Sequence, residues 1–309
     1  MHGIFFHYFK GEGHIDCQGA LSQSEFHRLL DYIEKKHRII DAESFCERVS
    51  NGCREENTVC LCFSCGLRSQ YDIALPVLEQ RGIKAFWMLY SNMLTGADVL
   101  IEIYHHFRFY TFSNVEEFYN SFFSYVRDHQ KWTVQDWAGF ISKFENSRYL
   151  SWASYYTYND RLFKYLRDVV LGEQYDAVMV ALMSLHGYVP AEHRKNLWIN
   201  AQEIRELSNK SHIIGLHTHT HPNCIGGLPY DEQMREYSVN KNILESIIGK
   251  TIVSMSHPCN SYNQDTLNIL RKLGVRYGFC ANMSSLGQSM LEIPSEDHSN
   301  LMRKMRGET

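Results

Sequence analysis

Three histidines fall within five residues at His217-Thr218-His219-Thr220-His221, directly after the apolar run Ile213-Ile214-Gly215-Leu216. In extended backbone alternate side chains leave one face, so the rings would project together from the end of a buried strand. If the chain instead turns after Leu216, the outer pair, His217 and His221, can still converge. Imidazole is the commonest protein ligand for zinc, and two convergent rings supply half of a tetrahedral site. The competing reading is a polar strand end with solvated rings. One histidine would fit that; three, closed by Pro222, point to a metal.

Cysteine is the other metal-ligating type to weigh. Of nine cysteines, five crowd at Cys46, Cys53, Cys60, Cys62 and Cys65. An odd count in a chain of 309 residues does not read as a disulfide framework, and reduced thiols in the cytoplasm are expected. Cys60 and Cys62 lack a second pair at zinc-ribbon spacing and read as small core residues of a strand. The start, Met1 to His7, has no basic segment followed by a small-residue cleavage site, so no signal peptide is expected. No run approaches the ~20 apolar residues of a membrane span. A net charge of −4 argues against nucleic acid or an anionic membrane as partner.

The elements that must position these groups alternate between strand and helix. Gly3–His7 reads as a strand, followed by a helix over Ser24–Lys36 with Phe26, Leu29, Leu30 and Ile33 on one face. Thr58–Phe63 is continuously apolar, as in a strand buried on both faces, and Gly66 ends it. A helix over Tyr71–Arg81 closes at Gly82, and Ile83–Leu89 is the next strand. The same grammar returns later: strand Ile213–Leu216, helix Asp231–Ile248, strand Thr251–Ser256, helix Asn263–Leu273 with Gly274 behind it, and strand Arg276–Ala281. Such alternation implies a parallel sheet with right-handed crossovers, either barrel or doubly wound. Between about 98 and 200 the pattern breaks into helical aromatic stripes: Val115, Phe118, Tyr119, Phe122 and Val126, then Leu162, Phe163, Leu166, Val169 and Val170. This segment reads as a helical insertion into a single domain spanning 1–309.

In order, these pieces resemble the polysaccharide deacetylases, the family of chitooligosaccharide, chitin and peptidoglycan N-deacetylases. The resemblance covers about residues 1–92 and 200–300. The family's Thr-Phe-Asp-Asp-Gly motif lies over Cys62-Phe63-Ser64-Cys65-Gly66, flanked by the matching Tyr71–Leu78 and Gly82–Phe86. Its His-Ser/Thr-x-x-His motif is intact as His217, Thr218 and His221, and its Arg-Pro-Pro-Tyr-Gly-like strand end lies over Ser256-His257-Pro258-Cys259-Asn260. Leu291 to His298 is similar to the terminal motif of a branch found with sugar-modifying gene products. The fold implied is a distorted (β/α)7 barrel of the TIM-like kind, with the site at the C-terminal rim of the strands.

The resemblance also implies roles, and two key positions depart from it. The family's general base and its metal-binding aspartate are here Ser64 and Cys65. A serine cannot take a proton at neutral pH without its own base, whereas a thiolate is a sound zinc ligand. The arginine that orients the base is replaced by Ser256, and Ser295 stands where the related branch carries arginine. The implied metal set is Cys65, His217 and His221, selective for zinc, with another divalent metal as the alternative. Asp297 and His298 are expected to protonate the leaving amine, with Ser64 at the family's base position and Asp72, Glu296 or Asp297 as replacement bases. His298 reads as a loop histidine. His7, Thr218, His257, Pro258 and Tyr262 are expected to bind substrate. Removal of an acetyl or formyl group from a nucleotide-linked, lipid-linked or glycan amino sugar is the leading reading. A carbohydrate-binding pseudoenzyme and a Cys65-dependent acyl transferase, with His217 or His221 as base, are the alternatives.

Overall fold

The computed structural model describes residues 1–53, 55–96, 99–151, 156–283 and 289–308. They form two compact units, Met1–Val99 with Arg194–Thr309, and Leu100–His193. Asp98, at the expected start of the insertion, lies outside the described residues. Residues 194–200 fall with the first unit, where the Trp198 indole N–H bonds the Tyr90 hydroxyl and the Ile199 N–H bonds the Gly66 carbonyl.

Every strand among the described residues is in the first unit: β1 His2–Phe6, β2 Arg38–Ile39, β3 Thr58–Ser64, β4 Phe86–Leu89, β5 Ile213–Leu216, β6 Ser254–Ser256, β7 Tyr277–Cys280 and β8 Ile293–Asp297. All pair in parallel. The ring runs β1-β8-β7-β6-β5-β4-β3 and closes by β3 on β1 along His2↔Val59 to Phe6↔Phe63. The short β2 joins β3 at Thr58 and Val59, on the edge that β4 takes over from Cys62 onward. The result is the closed seven-stranded (β/α) barrel that the resemblance implied, where the alternation had left a doubly wound sheet open.

Alternation along each strand sorts the side chains. Phe5, Cys60, Cys62, Phe86, Met88, Phe279 and Ile293 share one buried cluster, and Phe45 joins it against Phe86 and Phe279, with ring centroids 6.2 and 5.8 Å away. Phe45 belongs to the helix Ala42–Ser50, which thereby plugs the floor of the barrel. A β-carbon on Gly215 would sit 2.3 Å from the Met88 sulfur, so the absence of a side chain there lets β4 and β5 close. The opposite faces carry Phe6, Phe63 and Trp87, stacked at 5.4 and 4.8 Å under the helices. Cys60 and Cys62 are fully buried, as core residues should be.

Several boundaries moved for identifiable reasons. The strand expected over Ile83–Leu89 starts only at Phe86, because Lys84 bonds the Asp41 carboxylate and Ala42, and Ala85 donates to His212 Nδ1 at 3.0 Å. The helix expected over Tyr71–Arg81 opens with a wide π-turn, Gln70–Ala74, before the α-helix Leu75–Arg81. The second unit is helical: Leu100–Thr111, Val115–His129, Val134–Ser147, Tyr158–Tyr165 and Tyr175–Leu185 surround Phe107, Phe118, Phe122 and Phe163. Val169 is not in that core but 54% exposed, since Leu166–Leu171 winds as a π-helix and the longer repeat buries Leu166 and Leu171 instead.

His212 shows how the fold depends on neutral imidazoles. It is buried, its Nδ1 must stay unprotonated to accept the Ala85 N–H, and burial pulls its pKa down to about 4. The unfolded chain binds that proton near its ordinary value, so stability is present above pH 6.5 and declines as pH falls toward 4. The expected slope from this residue is at most about 1.4 kcal/mol per pH unit. Denaturant titrations across that window should show it, and His212→Asn, which keeps an acceptor near the Nδ1 position, should flatten it.

Candidate metal centre

The residues after Leu216 do not continue the strand. Thr218 and His221 adopt left-handed backbone, with φ of +64° and +58°, and curl the segment into a tight turn. The helix Tyr230–Ile248 holds that turn. Its Glu236 carboxylate accepts the N–H of His219 at 2.9 Å and of Thr220 at 2.8 Å, and its Asn240 accepts the N–H of His217 at 3.1 Å. Thr218 is fully buried, and its hydroxyl bonds the His217 carbonyl at 2.6 Å and accepts the His221 N–H at 3.2 Å. Thr218 therefore shapes the turn and is not presented to a substrate. His219 points elsewhere, bonded to the Ser91 hydroxyl.

The turn brings the outer pair together with His217 Nε2 and His221 Nε2 3.1 Å apart. Two ligand nitrogens on a tetrahedral zinc stand about 3.3 Å apart. His217 Nδ1–H donates to Ser256, whose carbonyl and hydroxyl oxygens are 3.1 and 2.8 Å away, leaving the Nε2 lone pair free for an ion. Burial and the neighbouring His221 hold His217 well below the ordinary imidazole range, and burial pulls His221 down to about 4. Both rings are thus neutral at pH 7, the form that binds metal. His221 Nδ1 is buried and has no partner among the described residues.

Cys65 completes the group. It follows the end of β3, is buried, and has a φ of +78° that its N–H bond to the Met88 carbonyl, at 3.0 Å, helps fix. The ligating atoms of Cys65, His217 and His221 all lie within 4.8 Å of one another. Two neutral imidazoles and a thiol at this spacing fit a zinc ion with one coordination position left over. Beside them, Ser64 is 1% exposed and its hydroxyl has no hydrogen-bond partner among the described residues. No group among the described residues is within hydrogen-bond reach to take its proton.

A second group stands on the same rim. His7, just past β1, has Nδ1 3.4 Å from the Asp297 carboxylate at the end of β8. Burial opposes ionisation of Asp297, but the His7 contact, His298 and the Ser299 N–H outweigh it and hold the carboxyl well below the usual range. Asp297 also caps the helix His298–Arg306, accepting that Ser299 N–H at 2.8 Å. It is a weak base by itself and a strong orienting partner for His7.

His298 is neither in a loop nor free to act. It is buried at the helix start, stacked on Phe6, with Nδ1 3.2 Å from the Phe5 carbonyl and Nε2 2.9 Å from that of Gly19. With both nitrogens turned to backbone, it is not placed to protonate a leaving group. Glu296 faces away from the barrel interior and pairs with Lys304. Asp72 is held by His14 at 3.0 Å and Arg68 at 3.3 Å. Neither shares the metal cluster.

His257 is buried, its Nε2 2.9 Å from the Leu291 carbonyl and its ring stacked on Tyr262 at 4.2 Å, next to the buried Pro258. Tyr262 donates to Glu292 at 3.2 Å. The sequence reading missed Gln70, whose buried amide reaches the carbonyls of His7 and Ser64, both at 2.7 Å, and ties the two strand ends together. It also missed Glu236 and Asn240, whose i, i+4 spacing on the helix facing the turn was the available signal.

Residues 180–278 match the family model described as polysaccharide deacetylase. That stretch carries the histidine turn and the His257 strand end, while Ser64 and Cys65 lie outside it. Among solved structures, the chain is similar to the deacetylase PplD of Streptococcus pyogenes in complex with acetate, at 13% identity over 99% of this chain and 97% of that one, with a TM-score of 0.57. It is similar to a de-N-acetylase from Aggregatibacter actinomycetemcomitans, at 10% identity over 98% of each chain and a TM-score of 0.57. IcaB from Ammonifex degensii shares 13% identity over 91% of this chain and 83% of that chain, with a TM-score of 0.51. No curated protein matches. At these identities the shared property is the fold, and the family match itself is confined to residues 180–278.

Metal analysis tests the cluster directly. Purified protein is expected to hold close to one equivalent of zinc, His217→Ala and Cys65→Ala should each release it, and His219→Ala should retain it. Full retention by Cys65→Ala would remove the thiolate from the set.

Proposed function

We propose that this chain is a metal-dependent carbohydrate amidohydrolase, releasing an acetyl or formyl group from an amino sugar in surface-glycan biosynthesis. The convergence of Cys65, His217 and His221 beside the His7–Asp297 pair carries the reading. Zinc, the metal best suited to this donor set, would polarise the acyl carbonyl and acidify a water when bound. Asp297 holds His7 with Nδ1–H toward its carboxylate, so His7 Nε2 is the atom that takes and returns a proton. His7 lies close enough to His217 and His221 to depress both, which supports proton transfer at this site. The His257–Tyr262 stack and Pro258 would form a wall for the sugar. The reduced cysteines support a cytoplasmic location, and nucleotide-linked or lipid-linked sugars are the substrates to test first.

The unpartnered Ser64 hydroxyl favours a second reading, a carbohydrate-binding protein without turnover. Acyl transfer through Cys65 is a third, and tightly held zinc would eliminate it. Acetate and formate release from nucleotide-linked, lipid-linked and glycan N-acyl amino sugars separates the first two. His7→Ala and Asp297→Asn are each expected to lower kcat by about 10²–10⁴-fold with zinc retained. Ser64→Ala should change it little, and Ser64→Asp with Cys65→Asp should raise hydrolysis. Turnover that survives loss of His7 would overturn the proton-transfer assignment. No release from any substrate by zinc-loaded protein would leave the binding role.

A further inference from the structure

The helical unit holds a cationic cluster that the barrel chemistry does not use. Arg108, on the helix Leu100–Thr111, lays its guanidinium against the rings of Phe163 at 5.3 Å, Phe109 at 5.5 Å and Phe118 at 5.8 Å. It makes no ion pair among the described residues, and its Nε is buried without an acceptor. Lys164, adjacent to Phe163 and half-buried, has its ammonium 4.6 Å from the Tyr156 ring and likewise no carboxylate. Burial pulls its pKa down to about 8, with Arg167 and Arg108 pushing the same way and Asp168 and Asp160 opposing them. Arg167 stands one helical turn beyond Lys164.

The carboxylates nearby are already engaged. Asp168 takes Arg167 at 2.5 Å and the Tyr149 hydroxyl at 2.7 Å. Asp160 lies one turn before Lys164 but accepts the Thr157 N–H at 2.8 Å and the Tyr119 hydroxyl at 2.5 Å. Two cations therefore remain half-buried with no carboxylate in ion-pair contact among the described residues, Asp168 and Asp160 acting on Lys164 only from a longer range, and an anion joining them would relieve this. A guanidinium and an ammonium in one neighbourhood offer several donors, a match for the oxygens of a multiply charged phosphate better than for one carboxylate.

We propose that Arg108, Lys164 and Arg167 form a binding site for a phosphate or diphosphate group in the helical unit. The assignment stands apart from the barrel chemistry and does not rest on deacylation. The group could come from a soluble nucleoside diphosphate or from a polyprenyl diphosphate, which present the same chemistry to these residues.

Calorimetric titration of the full chain with inorganic pyrophosphate at physiological salt tests it. Saturable one-to-one binding is expected, weakened at least about ten-fold in Lys164→Gln with the melting temperature retained. Arg167→Gln serves as the second variant should Lys164→Gln not fold, and should weaken binding by a similar factor. Absence of saturable binding, or equal binding by both variants and the native chain, would overturn the proposal. Parallel titrations with uridine diphosphate and farnesyl diphosphate identify the source: the one that binds more tightly than pyrophosphate carries the natural group, and equal affinities mark a site for the inorganic anion.

Discussion

The turn between His217 and His221 is the constraint on which the candidate site rests. Two non-glycine residues in left-handed backbone are unfavourable by themselves, by about 1–3 kcal/mol each for residues in sparsely populated regions. The strain persists because Glu236 binds two successive N–H groups and Asn240 a third, while the Thr218 hydroxyl braces the turn from within. Without that curl the alternate rings would leave a strand side by side, and His219 would compete with the outer pair. With it, two ε-nitrogens meet and the middle ring is diverted to Ser91. A single helix, Tyr230–Ile248, thereby determines which histidines converge.

The closed parallel ring does the rest. Because β1, β3, β5, β6 and β8 all run the same way, their C-terminal ends share one rim, and His7, Cys65, His217, His257 and Asp297 stand there together despite sequence separations of up to most of the chain. Burial on that rim keeps His217, His221 and His257 neutral, which suits metal binding and hydrogen-bond acceptance. The exception is the ionised Asp297, and its negative charge is placed against His7.

Much of this was legible in the residues. The apolar runs of β3 and β4 and the capped helices gave the alternation, and three histidines in five residues marked the candidate metal cluster. The resemblance to polysaccharide deacetylases supplied Cys65. What stayed hidden depended on contacts far apart in sequence. His298 looked like an acid because it follows a carboxylate, yet the carbonyls of Phe5 and Gly19 capture both of its nitrogens, and His7 from the opposite end of the chain takes the partner role. Thr218 looked like a substrate contact because motifs record identity and not direction. The two-residue β2 is too short to show a period, whereas the helix plugging the barrel floor carries Ala42, Phe45, Cys46 and Val49 at helical spacing, a legible signal that was passed over. The π-turn at Gln70 and the π-helix at Leu166 displaced side chains by changing the helical repeat itself.

The central claim is that a thiolate has joined two imidazoles as the metal-binding set. X-ray absorption at the zinc edge of the purified full-length chain tests it most directly. The account predicts one sulfur scatterer at about 2.3 Å with two imidazole nitrogens at about 2.0–2.1 Å and a light-atom ligand besides. A first shell containing only nitrogen and oxygen would contradict it, because Cys65 would then stand beside the ion without binding it.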